Sequence, residues 1–179
     1  LLLVLLIDQR ATHTTIQKIG RALRNNELEV ARQHLSILTY EVVDQMDAHN
    51  IARSGVVTCT NKLVKSVMAP VFWYVLFGLP GLLVYTSVTI MDEQAGNRTQ
   101  EYRAFGFAAA RLNDILLFVP ARLAGLFVFI GSFFVPTASP GNALKMMLHY
   151  SGKHRSLNTG WPLSAMAGAL NIALSTPQR

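Results

Sequence analysis

Apolar residues gather in three runs: Leu1 to Ile7 (LLLVLLI), Val67 to Met91, and Ile115 to Phe134 (ILLFVPARLAGLFVFIGSFF). A helix rising 1.5 Å per residue needs about 20 mostly apolar residues to cross a hydrocarbon core of about 30 Å. The second and third runs meet that length. The first stops at Asp8. With no methionine or basic segment ahead of it, it reads as the end of a transmembrane helix that starts outside the chain, not as a signal peptide.

Between the first two runs, residues 8–66 form a polar insert. Ile16, Ile19 and Leu23 fall at helical spacing, and Asn25-Asn26 interrupts them. Asn26 followed by Glu29 predicts the N-cap and acid of a capping box. Leu28, Ala31, Leu35, Leu38 and Val42 then mark one face of the next helix. The expectation is a cytoplasmic amphipathic helical hairpin.

The second run is interrupted in its middle. VMAPVFWYVLF leads into Gly78-Leu79-Pro80-Gly81 and then LLVYTSVTIM, a break that a continuous helix accommodates poorly. Two arrangements are open. One kinked helix crosses the bilayer, or two halves of about ten residues, about 15 Å each, enter and turn back. Broken backbone at membrane depth persists only where protein buries it or it lines a cavity. Residues 8–66 carry eight Lys/Arg, 136–179 four and 92–114 three. Strict alternation under the positive-inside rule puts 8–66 and the tail inside and 92–114 outside; a re-entrant second run puts 92–114 inside too.

In the tail, Gly160, Ser164 and Gly168 form a small-residue face suited to close helix packing. Pro162 fits the first turn of that helix, with Thr159 or Gly160 as its cap. An anion site at its N-terminus near Asn158 and Trp161 is the alternative to plain packing. The expected fold is all-α: a polytopic integral membrane helical protein with a Gly-Pro-broken membrane segment. It is read as one membrane domain over 1–179: helix end 1–7, polar insert 8–66, broken segment 67–91, charged loop 92–114, transmembrane helix 115–135, and tail 136–179.

Composition agrees. The chain is 51% hydrophobic and 15% charged, against about a quarter charged in soluble domains. Its net charge of +6 suits anionic lipid, and no basic run interleaves with aromatics as a nucleic-acid groove requires. The one cysteine, Cys59, excludes an internal disulfide framework, and the five histidines show no ligand spacing.

Chemistry concentrates in MDEQAGNRTQEYRAFGFAAARLND, Met91 to Asp114, which holds Asp92, Arg98, Glu101, Tyr102, Arg103, Arg111 and Asp114. Arginines amid small residues suit phosphate or carboxylate, and Asp92 with Asp114 could hold magnesium. A juxtamembrane loop whose charges pair with each other and with lipid is the plainer alternative. Arg122 lies seven residues inside the third run, where a lipid-facing guanidinium costs about 2.5–3.5 kcal/mol. It is expected to face inward, with Asp114 or Asp92 as partner.

These residues resemble the adenosylcobinamide-phosphate synthase family of cobalamin biosynthesis, the CobD/CbiB membrane proteins. The resemblance covers nearly the whole chain. It runs from RALRNNELEVARQHLS through the Ala-Pro-x-Phe-Trp and Gly-Leu-Pro-Gly of the second run. It continues over Asp92, Gly96, Arg98, Tyr102-Arg103, Phe105-Gly106, Ala110-Arg111-Leu112, Asp114 and Pro120-Ala121-Arg122-Leu123 to the block from Asn158 to Leu170. It implies ATP-dependent amide formation between adenosylcobyric acid and aminopropanol or its phosphate, at the bacterial cytoplasmic (inner) membrane, with magnesium. Asp92 and Asp114 would then be the catalytic and metal-holding carboxylates. Arg98, Tyr102, Arg103, Arg111, Arg122, Asn158 and Trp161 would bind substrate. The chain departs from the family pattern at Tyr40-Glu41-Val42-Val43, at Asn61 to Ser66 (where Lys62 and Lys65 stand in a block expected to be acidic), at Asn113 in place of Asp, and at Leu163. Those departures keep a second reading open, a catalytically silent paralogue like the AmpE-type regulatory membrane proteins.

Overall fold

The computed structural model describes residues 2–39, 42–95, 103–153, 156 and 158–174. Among these, every regular element is helical: α1 (Leu2–Arg24), α2 (Leu28–Leu38), α3 (Ala48–Leu63), a π-turn (Val64–Met68), α4 (Ala69–Ala95), α5 (Arg103–Ser132), α6 (Pro140–Tyr150), a 3-10 turn (Ser151–Lys153) and α7 (Gly160–Leu170). The first apolar run does not end an element at Asp8, since α1 continues through it to Arg24.

Helices α1 and α2 pack on each other as a helical hairpin, but the asparagines act differently from expectation. Asn26 takes a left-handed φ of 59°. The Asn26 N–H donates to the Leu23 carbonyl at 3.3 Å and the Glu27 N–H to the Ala22 carbonyl at 2.9 Å. This is a Schellman ending, which satisfies the last carbonyls of α1. Asn26 therefore terminates α1 and does not cap α2, and Glu29 pairs with Arg32 instead of reaching back. Ile19, Ala22, Ala31, Leu35, Val43 and Ile51 build the core of this hairpin. Val42, expected on the apolar face, lies beyond the end of α2 and is 79% exposed; Val43 is buried in its place. Arg32 ties the following segment down, donating from Nε and Nη2 to the Met46 carbonyl at 3.0 and 2.8 Å. Asp47 then caps α3, accepting from the Asn50 N–H at 2.8 Å.

Helix α3 passes into α4 through the π-turn, and the reason lies at Pro70. In the π register the Ala69 N–H bonds to the Val64 carbonyl. The next donor in that register would be residue 70, a proline with no N–H, so the Lys65 carbonyl loses its partner. The Tyr85 hydroxyl donates to it at 2.8 Å. Twenty residues of straight helix would separate these two by about 30 Å. The chain therefore reverses between them.

The reversal is at Gly78, whose φ of 65° and ψ of −148° suit only glycine. At Gly81 an added Cβ would sit 2.5 Å from the Trp73 carbonyl oxygen, so the two arms touch at the turn. Of the two arrangements open to the second run, the structure adopts the hairpin, with α4 divided into 69–77 and 79–95.

Helix α5 runs antiparallel to 79–95. Trp73 Nε1 donates to the Leu116 carbonyl at 3.1 Å, and Val64, Ala69, Tyr85, Leu117, Ala121 and Ala124 pack as one core. The stretch 92–114 is not a loop throughout: α4 reaches Ala95 and α5 begins at Arg103. Helices α6 and α7 pack closely because an added Cβ at Gly168 would collide with the Asn142 carbonyl and lie 2.8 Å from the Ala143 Cα. Asn171, left-handed at the end of α7, accepts from Asn142 Nδ2 at 2.7 Å and donates to Ser139 Oγ at 2.8 Å. The small-residue face is used for packing, as its spacing predicts.

Replacing Gly168 with Ala should destabilise the detergent-solubilised protein by about 1–3 kcal/mol, the range for overpacking a tight contact. Gly141→Ala, on α6 where an added Cβ meets nothing within 4 Å, should be neutral or slightly stabilising. Urea denaturation of both variants checks the contrast.

Candidate functional site

Polar side chains collect on the first half of α5, which meets the second arm of α4 on one face and the segment before α7 on the next. Two consecutive residues of α5 point in different directions because a helix turns about 100° per residue. Asn113, 3% exposed, faces α4. Its Nδ2 donates to Asp92 Oδ2 at 2.6 Å, and its Oδ1 accepts a long 3.5 Å bond from Thr89 Oγ1. The threonine fixes which way the amide faces, and the amide then holds the half-buried carboxylate. Asp114, exposed, faces the segment before α7. Asn158 Nδ2 donates to the Asp114 carbonyl at 2.7 Å and approaches its Oδ1 at 3.4 Å.

Asn158 is 5% exposed, and its Oδ1 is buried with no hydrogen-bond partner among the described residues. An orphaned amide oxygen costs about 1–3 kcal/mol, so it is a point where a donor from elsewhere would be welcome. Thr159 holds the position before α7, but its side chain makes no capping bond: its N–H donates to Ser156 Oγ at 3.3 Å and its hydroxyl oxygen accepts from Ser156 Oγ at 3.2 Å, while Pro162 lies in the first turn as expected.

The position of Arg122 corrects its expected pairing. Among the described residues no ion pair joins it to Asp92 or Asp114. Its Nη1 donates to the Phe118 carbonyl at 2.6 Å. The guanidinium carbon lies 3.4 Å from the Phe118 ring centroid and 5.3 Å from that of Trp161. Asp114 is eight residues back, about 12 Å along the axis, whereas the side chain leans back a single turn. Asp92 is engaged by Asn113 on another face. The charge is therefore accommodated by aromatic faces and one carbonyl. Only one of five N–H donors is spent within the described residues, which leaves the guanidinium able to take an anion. Gly125 makes the approach possible, since an added Cβ there would sit 3.3 Å from the Trp161 carbonyl.

The other candidates lie further out. Arg111 is exposed and stacks over Phe107 at 5.1 Å. Arg103 opens α5, but its side chain is outside the described residues, as are Arg98 and Tyr102 altogether. Asn113 thus joins Asp92 on one face of α5 and Asn158 joins Asp114 on the next, at one level of the helix, with Arg122 and Trp161 further along it. Sequence reading missed Asn113 and Thr89 as members of the site. The signal available was register: Thr89 precedes Asp92 by three residues, one helical turn, and Asn113 adjoins Asp114.

By length and composition two stretches are apolar enough to cross a membrane, Gly106–Ser132 as a continuous helix and Ala48–Gln94 only when counted through the reversal at Gly78. An all-helical chain of this kind with polar pairs between its apolar elements defines the class. The sequence profile of the family described as CobD/Cbib protein matches residues 1–179. The cobalamin biosynthesis protein CobD of Rhodobacter capsulatus is 36% identical over 171 residues, covering 94% of this chain and 52% of that protein. Proteins of the same name from Brucella suis and a Sinorhizobium species are 32% and 33% identical, each covering 99% of this chain and 55% of the relative. The chain belongs to the CobD/Cbib family. It spans about half the length of the curated relatives it matches. No solved structure matches.

If the Asn113 amide is what holds Asp92, the two residues are energetically coupled. A double-mutant cycle of Asp92→Ala and Asn113→Ala should give a coupling of about 1.5–3 kcal/mol, the range for a hydrogen bond to a charged group. Denaturation of the four proteins in one detergent measures it, and additive effects would show the bond to be inconsequential.

Proposed function

We propose that this chain forms part of a cobalamin-biosynthesis enzyme of the bacterial cytoplasmic (inner) membrane, joining a propionate carboxylate of adenosylcobyric acid to aminopropanol or its phosphate in an ATP-dependent reaction. The observation that carries this reading is the set of polar groups gathered along α5. In a chain whose named relatives are cobalamin biosynthesis proteins, α5 gathers carboxylates of two elements on neighbouring faces, an amide oxygen with no partner among the described residues, and a guanidinium with unused donors.

Amide formation makes three demands on a protein. The carboxylate and phosphate oxygens must be held, the amine must lose a proton to become nucleophilic, and water must be kept from the activated acyl group. Arg122, backed by the Phe118 and Trp161 rings, suits an anionic oxygen. Arg98, Arg103 and Arg111 are assigned the same task, and Tyr102 is assigned to substrate contact. Asp114, exposed and held by Asn158 Nδ2, is assigned to accept a proton from the ammonium, with the Asn158 amide oxygen assigned to take another of its N–H bonds. The apolar core beside these groups limits water access.

Magnesium fits the donors present. Among the described residues no group of three or more His, Cys, Asp or Glu could hold a metal alone. Magnesium bound with ATP needs only one or two carboxylates beside phosphate oxygens, and Asp92 and Asp114 are the residues to supply them. When bound it would neutralise phosphate charge. Lys62 and Lys65, in the end of α3 and the π-turn, mark where this chain departs from the family's acidic block.

Full-length Asp92→Ala and Arg103→Ala variants, expressed at wild-type level in a synthase-null strain, should each convert cobyric acid at least about tenfold more slowly, the loss of one transition-state interaction. Normal conversion by both variants discards the assignment. Corrinoid binding without turnover by the unmutated protein would instead identify a silent paralogue.

A further inference from the structure

We propose that the reversal at Gly78 takes place inside the bilayer, its backbone half-buried by the hairpin's own side chains while their outer faces meet lipid hydrocarbon, so that residues 66–91 form a re-entrant hairpin whose two ends emerge on the same membrane face. This rests on the membrane reading above and is independent of the reaction.

Four observations carry it. No charged residue occurs between Lys65 and Asp92, so charge marks the base of each arm and nothing beyond. From Lys65 to Gly78 and from Gly78 to Asp92 the arms run about 20 Å each at 1.5 Å per residue, short of a hydrocarbon core of about 30 Å. Around the turn Val75, Leu76, Phe77, Leu79, Leu83 and Val84 are 54–74% exposed. They occupy successive positions on both arms, not one stripe, so a flat protein partner would cover only one side of them. The carbonyl that Pro70 orphans at the base of the hairpin is satisfied from within, by the Tyr85 hydroxyl, as hydrocarbon demands.

The consequence concerns sidedness. Asp92 and the start of α5 return to the face from which α3 entered, and α5 makes the crossing. The polar pairs of Asp92 and Asp114 then share a face with residues 8–62. By the positive-inside rule that face is cytoplasmic, because 8–66 carries eight Lys/Arg. A nucleoside triphosphate would meet the site from that side.

The test uses the full-length protein with Cys59→Ser and single cysteines at His49, Leu79 or Gln94, all three exposed positions outside the site. A membrane-impermeant maleimide is applied to inverted and right-side-out vesicles. His49→Cys and Gln94→Cys should label in inverted vesicles only, and Leu79→Cys in neither until detergent is added. A spin-labelled lipid should quench a fluorophore on Leu79→Cys most strongly with the label deep in the acyl chain. Labelling of positions 49 and 94 from opposite faces overturns the hairpin in favour of one crossing. Impermeant labelling of position 79, or its near-complete disulfide crosslinking to a second copy, overturns the lipid contact. Release of the protein by carbonate washing would sink the membrane reading as well, whereas a wrong reaction assignment leaves the labelling pattern unchanged.

Discussion

One missing hydrogen shapes this molecule. Pro70 cannot donate to the Lys65 carbonyl, and in an apolar setting an unpartnered carbonyl is too costly to leave. The Tyr85 hydroxyl meets the demand, and it does so only if the chain doubles back at Gly78. Doubling back lays 79–95 beside the π-turn and gives α5 a groove to occupy, with Trp73 anchoring Leu116 on one side. Asp92 reaches Asn113 because of that arrangement. A straight helix from Ala48 onward would carry Asp92 far from α5.

The same logic explains how an arginine is tolerated within an apolar helix. Sequence alone suggests a carboxylate as partner, since unlike charges are the familiar remedy. The structure uses aromatic faces instead: Phe118 one turn earlier and Trp161 from the start of α7. Ring faces offer negative potential without demanding that a second charge be desolvated. A guanidinium held this way keeps most of its donors, whereas a bidentate carboxylate would consume two. The site thus retains a cation with capacity to spare, on the helix that also carries Asp114, which Asn158 holds with an amide whose oxygen has no partner among the described residues.

Much of the fold was legible residue by residue. The α1–α2 hairpin, the break at Gly78 to Gly81, the Thr159-Pro162 start of α7 and the packing role of Gly168 all follow from local chemistry. Errors came where two local readings shared the same residues. Asn26 is a good N-cap and a good left-handed terminator, and the tie is decided by which helix can use its backbone; α1 needed its last carbonyls bonded. Val42 matched the helical period, but α2 had already ended, so periodicity continued where the helix did not. Asn113 was marked only as a departure from the family pattern, because one amide in a helix says nothing about what faces it.

By itself the sequence determined the helices, the apolar lengths, the presence of a break and the family to which the chain belongs, because these depend on residue type and on spacing within a few turns. Tertiary structure alone decided that the break is a reversal, that Asn113 holds Asp92, that Asn158 lies on Asp114 and that Arg122 rests on Phe118 and Trp161. Each of those contacts joins separate elements or depends on which of several reachable partners is already engaged. Periodicity assigns a residue to a face, but what stands opposite that face is chosen by the packing of the whole chain.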